Sequence, residues 1–160
     1  RAIRSPSTAI VDYKEVCAAM TRELTARGVA VETGAGVTSI RRSAGAIELV
    51  TPRAVVRTAQ IVNCAGLYSD VVARMAGAKV DLRIIPFRGE YYMIRPERQD
   101  IVRGLIYPVP DPEFPFLGVH LTRTVHGEVE AGPNAVLAFA REGYRFATVS
   151  PSVRFAGTPV

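Results

Sequence analysis

Tryptophan is absent from this sequence, and cysteine and histidine occur only twice each. With Cys17, Cys64, His120 and His126 as the only thiols and imidazoles, a zinc or other soft transition-metal site lacks ligands, and no metal is expected. Two cysteines make no disulfide framework, so both are read as buried free thiols in a reducing compartment. No apolar run approaches the roughly 20 residues of a membrane span. No stretch of signal-peptide length follows the arginine-rich start, so a cytoplasmic location is expected. The glycine-rich lysine loop of phosphate binders and the nucleophile elbow of serine hydrolases are missing too.

What is present is the composition of a globular chain, 160 residues with 48% hydrophobic and 22% charged. Basic residues number 20 against 15 acidic, and all but Lys14 and Lys79 are arginine. The arginines are dispersed, with Arg41 and Arg42 the densest pair. This pattern argues against a nucleic-acid partner and leaves small anions as ligands, because a guanidinium binds carboxylates bidentately.

After a polar entry loop, Tyr13, Val16, Cys17, Met20 and Leu24 recur at helical spacing, with Asp12 and Glu15 placed as a capping box and Gly28 as the stop. Short strands are expected at 29–31, 37–40, 47–50 and 54–57, an antiparallel meander punctuated by glycine and proline. Residues 59–64 read as a buried strand, followed by a tight turn at Gly66 and a helix over 70–75 capped by Ser69, with Val71, Val72 and Met75 inward. From Pro86 the character changes to longer strands at 84–95, 101–109 and 116–123. A turn at His126 and Gly127, a short strand at 128–131, and a brief helix over 135–141 opened by Pro133 and Asn134 complete the pattern. The fold class is α+β: a helix plus β-meander joined to a mostly antiparallel sheet, divided at about residue 80.

On a strand of period two, His120 shares a face with Gly118 and Thr122, an arrangement that fits a cavity wall or a solvated hydrogen-bonded histidine. Arg88 shares a face with Glu90 and is read as an anion ligand or as that carboxylate's partner. Tyr107 fits a donor to a ligand carboxylate or an anchor of the sheet edge. His126 reads as an exposed turn residue.

The segment 60–70 (QIVNCAGLYSD) resembles the late strand-and-turn motif of FAD-dependent D-amino-acid and glycine oxidases. Residues 84–96 (IIPFRGEYYMIRP), 106–121 (IYPVPDPEFPFLGVHL) and 130–144 (EAGPNAVLAFAREGY) are similar, in order, to the L-2-hydroxyglutarate oxidases and dehydrogenases of that wider family. The resemblance covers roughly residues 8–146. It implies residues 1–80 as an internal portion of an FAD-binding domain, 81–149 as a substrate-binding sheet domain and 150–160 as a tail.

By the same resemblance, the backbone at Val37 meets the adenine ring, Cys64, Ala65 and Gly66 form the strand end and turn beside FAD, and Leu67 begins the helix behind them. Arg88 and Gly89 enter the substrate sheet near the isoalloxazine. His120 and Thr122 sit over the flavin with Tyr107 as a neighbouring donor, and Gly132, Pro133 and Asn134 form a return turn toward it. The implied reaction moves hydride from C2 of a 2-hydroxydicarboxylate to the flavin. His120 is the expected base, since imidazoles as a class exchange protons near neutral pH, and Arg88 and Tyr107 hold carboxylate.

Family members begin with a GxGxxG turn that grips the pyrophosphate, which this sequence does not contain. The chain is therefore expected to be an internal fragment, inactive and weak in FAD binding alone, with apolar surface suited to a homodimer. Peripheral membrane association is open to the complete enzyme. The alternatives are an amino-acid or amine oxidase of the same wider family, and a non-catalytic binding or structural domain.

Overall fold

The computed structural model describes residues 2–43, 45–113, 118–145 and 147–150. Ala44, the start of the expected 116–123 strand and nearly all of the 150–160 tail lie outside these residues. The described residues fall into two compact units, one running up to Val31 and resuming over Arg88–Val136, the other comprising Glu32–Phe87 with Leu137 onward.

The first unit opens with helix α1, Tyr13–Ala26. Asp12 caps it, its side chain accepting from the Lys14 amide at 2.8 Å, which satisfies one of the amides that a helix N-terminus leaves without an intrahelical partner. Gly28 ends it with φ of 81°, a conformation that costs glycine little. No residue of α1 is buried. Its apolar face stays open, with Tyr13 and Met20 well exposed, and Cys17, expected to be buried, is exposed and unpaired.

The rest of this unit is built on a three-stranded sheet. Strand β4 is Phe87–Met93, β5 is His120–Arg123 and β6 is Val129–Leu137. They lie in the order β4-β6-β5, and β5 and β6 are antiparallel with His120 opposite Gly132 and Thr122 opposite Glu130. The core lies here around Val102 and Val129, among the most deeply buried of the described residues. The expected 101–109 strand is instead a 3-10 helix, Pro96–Ile101, followed by a loop with a single bridge between Ile106 and Leu121. Pro108 and Pro110 cannot donate to a ladder, so pairing stops after one bridge.

The second unit carries an antiparallel meander, as the glycine and proline punctuation implies: β1 Ser39–Ser43, β2 Ala46–Val50 and β3 Val55–Thr58. Glu48 lies opposite Arg57 and pairs with it at 3.1 Å. A 3-10 turn, Gly66–Tyr68, leads into α2, Ser69–Met75. Ser69 is the first residue of α2 and Tyr68 precedes it as the cap, without a side-chain bond. The buried residue of α2 is Asp70, while Val71, Val72 and Met75 are half-buried.

Two segments expected as strands, 29–31 and 59–64, are irregular. Among the described residues neither has a hydrogen-bonded neighbour strand, and an apolar run without one does not form a ladder; Val62 is 84% exposed. The expected helix over 135–141 is also overturned. Residues through Leu137 belong to β6, and Ala138 and Ala140 follow as buried residues outside any helix. Helix propensity here is worth tenths of a kcal/mol per residue, and pairing on both sides of a central strand outweighs it.

Candidate active site and cofactor cavity

Period-two alternation along β4 sends Arg88 and Glu90 to one face and Gly89 and Tyr91 to the other. On the first face, Arg88 donates from Nε at 2.9 Å and Nη2 at 2.8 Å to the same Glu90 oxygen. The Arg88 side chain is 14% exposed and that of Glu90 46%, so the pair orients the arginine more than it stabilises the fold.

The second face is close-packed around glycine. A Cβ on Gly132 would lie 2.7 Å from Tyr91 Cδ1 and 2.8 Å from the Glu90 carbonyl oxygen, and one on Gly89 would lie 2.8 Å from Pro133 Cβ. Gly132, Pro133 and Asn134 therefore do not form a return turn. They run through the middle of β6, where Pro133 lacks an amide and the Asn134 side chain accepts instead from the Glu90 amide at 3.2 Å.

His120 opens β5 opposite Gly132 and is 9% exposed. Tyr107 stacks on the imidazole at 4.5 Å with 28° between the planes, and Tyr91 meets it edge-on at 6.5 Å. Nδ1 lies 3.1 Å from the Gly118 carbonyl oxygen. A carbonyl only accepts, so Nδ1 donates in this contact, and Nε2 is the ring nitrogen that the bond leaves unengaged. Gly118 leaves no open room: a Cβ there would lie 2.9 Å from Pro108 Cγ. Thr122 lines a separate cavity of about 330 Å3 beside the start of α1, shared with the exposed His126. The first unit thus gathers His120, Tyr107, Gly89 and Gly132, places Arg88 on the opposite face of β4 from Gly89, and sets Thr122 apart.

In the second unit, Val37, Cys64 and Ala65 line one cavity of about 430 Å3 whose other walls include Ile40, Leu49, Ile61 and Val72. Asn63 shapes the turn at its rim, accepting from the Ala65 amide at 3.2 Å and donating to the Ser69 carbonyl at 2.8 Å. Gly66 follows with φ of 52° and open space where a side chain would stand. Leu67 is in the 3-10 turn ahead of α2. Cys64 is exposed and unpaired, where a buried thiol was expected.

A charged cluster that the sequence reading did not single out braces this turn. Arg141 donates to the Leu67 carbonyl and grips Asp70 at 2.6 and 2.8 Å. Arg74 adds a third bond to Asp70 at 2.9 Å, and the Arg141 guanidinium lies 5.6 Å from the Tyr68 ring centre. The hydrogen bonds from Arg141 hold the Asp70 carboxyl well below the usual carboxylate range; burial opposes them and Arg74 adds to them. Tyr68 donates to Glu142 at 3.0 Å, and that bond raises its phenol above the ordinary value. The i, i+4 spacing of Asp70 and Arg74 was visible in the sequence. The link to Arg141, 71 residues on, had no local signal.

Among the described residues no cluster of three His, Cys, Asp or Glu side chains is placed to hold a metal ion. No described helix is long and apolar enough to cross a membrane.

Comparison with known proteins agrees with the sequence motifs. The profile of the family described as FAD dependent oxidoreductase matches residues 1–156. An L-2-hydroxyglutarate dehydrogenase of Indibacter alkaliphilus is 51% identical over 150 residues, covering 93% of this chain and 38% of the relative. The mitochondrial L-2-hydroxyglutarate dehydrogenase of Homo sapiens is 43% identical over 156 residues, 90% of this chain and 34% of the relative. That of Caenorhabditis elegans is 41% identical over 162 residues, 95% of this chain and 36% of the relative. The chain spans little more than a third of the length of these curated relatives.

Proposed function

The chain belongs to the FAD-dependent oxidoreductase family, and from that premise we propose that the complete protein oxidises L-2-hydroxyglutarate to its 2-keto acid. The observation that carries the reading is His120: a buried imidazole whose Nδ1 is held by the Gly118 carbonyl and whose Nε2 is not engaged by that bond. Stacking by Tyr107 and the edge of Tyr91 fix the ring plane. A base in one orientation takes up a hydroxyl proton without first paying to order itself.

In this reading Nε2 of His120 accepts the proton of the substrate 2-hydroxyl as the C2–H bond breaks and the carbonyl forms. Arg88, paired with Glu90 on the face of β4 away from Tyr91 and His120, does not reach the same substrate and keeps its role as that carboxylate's partner. Tyr107 offers its hydroxyl to the carboxylate next to the reacting carbon, and Thr122, lining a separate cavity, takes no direct part. Gly89, Gly132, Pro133 and Asn134 keep the sheet close-packed beneath the substrate. Bound FAD supplies the two-electron acceptor for the hydride that leaves C2.

The second-unit cavity suits part of such a cofactor. Its volume lies in the range of ligand sites, its walls are apolar, and main-chain polar groups of the 63–66 turn stand at its rim. Val37, Cys64 and Ala65 would hold a flat ring system there, with Gly66 letting the ligand approach the backbone and Leu67 fixing the turn.

Anaerobic mixing of the full-length holoprotein with L-2-hydroxyglutarate tests the reading. Bleaching of the flavin absorbance by the L enantiomer, and not by L-glutamate, is the expected result. Bleaching by the amino acid alone would make the protein an amine oxidase, and bleaching by neither would refute the oxidation.

A further inference from the structure

A second cavity of the first unit, about 580 Å3, lies between the entry segment near Arg4 and the loop carrying Arg103 and Tyr107. Its lining includes three arginines, Arg4, Arg103 and Arg123, and no acidic side chain. Arg123 is fully engaged with the main chain. Its Nε and Nη2 donate to the Val102 carbonyl at 3.1 and 2.8 Å, Nη2 also to Gln99 at 2.7 Å, and Nη1 to Gly127 at 2.8 Å. Those bonds fix the carbonyls that lead directly into Arg103.

Arg4 and Arg103 are in the opposite situation: among the described residues neither has a hydrogen-bond or ion-pair partner. Two uncompensated guanidinium groups facing one concavity favour an anion, and their planar forks match a carboxylate. Tyr107 belongs to this wall too, and its ring is the one stacked on His120. One side chain is thus shared between the cavity wall and the imidazole assigned as the base. Arg88 does not serve this carboxylate, because it is engaged by Glu90 on the other face of β4.

We propose that this cavity is the subsite for the carboxylate remote from the reacting carbon, with Arg103 as its fork, Arg4 as its second cation and Tyr107 as the wall shared with His120. This rests on the oxidation reading above and deepens it: the site selects dicarboxylates over monocarboxylates because an empty fork beside the bound substrate leaves two cations unpaired. Arg123 is a positioning residue, acting through the loop that carries Arg103.

The test uses the full-length holoprotein and two unreactive probes, glutarate and butyrate, which differ by one carboxylate. Titrations followed by the flavin absorbance change and by calorimetry give both affinities in wild type, Arg103→Met, Arg103→Lys and Arg4→Met. The expected result is that Arg103→Met weakens glutarate about 10- to 100-fold and leaves butyrate within about 2-fold, with Arg103→Lys between the two. Equal glutarate affinity in wild type and Arg103→Met overturns the proposal, as does equal weakening of both probes or no glutarate binding by the wild type. Flavin content and circular dichroism identify a misfolded variant, and Arg103→Lys, which keeps charge and bulk, then decides by the same criterion. If glutarate binding depends on Arg103 while L-2-hydroxyglutarate leaves the flavin oxidised, the subsite stands and the oxidation reading fails. If L-2-hydroxyglutarate bleaches the flavin at unchanged KM in Arg103→Met, the reading stands and the subsite falls.

Discussion

Replacing Asp70 by asparagine strikes a buried side chain of the second unit that accepts three hydrogen bonds. Its side chain is 2% exposed and that of Arg141 11%, so the pair is shielded from solvent. Asparagine keeps the shape and removes the charge, leaving the Arg141 guanidinium buried without a counter-ion, a change that costs about 3–5 kcal/mol in comparable pairs. Arg141→Met leaves the converse defect, softened because Arg74 still reaches Asp70. The double variant removes both charges, so its loss should fall short of the summed single losses by about 2–3 kcal/mol. Urea unfolding of the chain, followed by tyrosine fluorescence and circular dichroism, measures all four corners of this cycle.

The pH dependence has a definite sign. The folded Asp70 carboxyl titrates below its unfolded value, so the full contribution is present above about pH 4 and is lost as pH falls toward the folded value. The gap between wild type and Asp70→Asn should therefore narrow between about pH 7 and about pH 3. Additive single losses, or a gap that widens in acid, would refute the view that one buried ionic cluster braces the 64–70 turn.

Two further outcomes follow from the first unit. Gly132→Ala places a methyl group 2.7 Å from the Tyr91 ring and 2.8 Å from a backbone oxygen, and should lower stability by about 1–3 kcal/mol in denaturant titrations. Arg88→Lys in the complete protein should leave KM for L-2-hydroxyglutarate within about 2-fold, because Arg88 pairs with a half-exposed Glu90 on the face of β4 away from His120; rapid-mixing kinetics across substrate concentrations check this, and a rise of about 10-fold would bring Arg88 to the substrate.

Where local chemistry decided the structure, the sequence was readable. Asp12 caps α1, Gly28 ends it, and the glycines and Pro52 between apolar runs mark out the β1-β2-β3 meander. Alternation along β4 placed Arg88 with Glu90 on one side. The failures arose where distant residues decide. Residues 135–141 are rich in good helix formers, yet those through Leu137 are drawn into β6 by its neighbours, and 59–64 has strand composition with no described strand to pair with. At the candidate site, His120 meets the main chain of its near neighbour Gly118. The stacking of Tyr107 on a ring 13 positions away, the Pro108 contact that fills the space above Gly118, and the Asp70–Arg141 brace needed the folded chain.

The central claim is that His120 takes the hydroxyl proton, and stopped-flow flavin reduction in the full-length His120→Ala holoprotein tests it most directly. The account predicts a limiting reduction rate about 100- to 10000-fold below wild type with FAD still bound and the visible spectrum of the oxidised flavin retained. A rate near that of the wild type, with the same flavin content, would contradict it and return His120 to a packing role between Tyr107 and Tyr91.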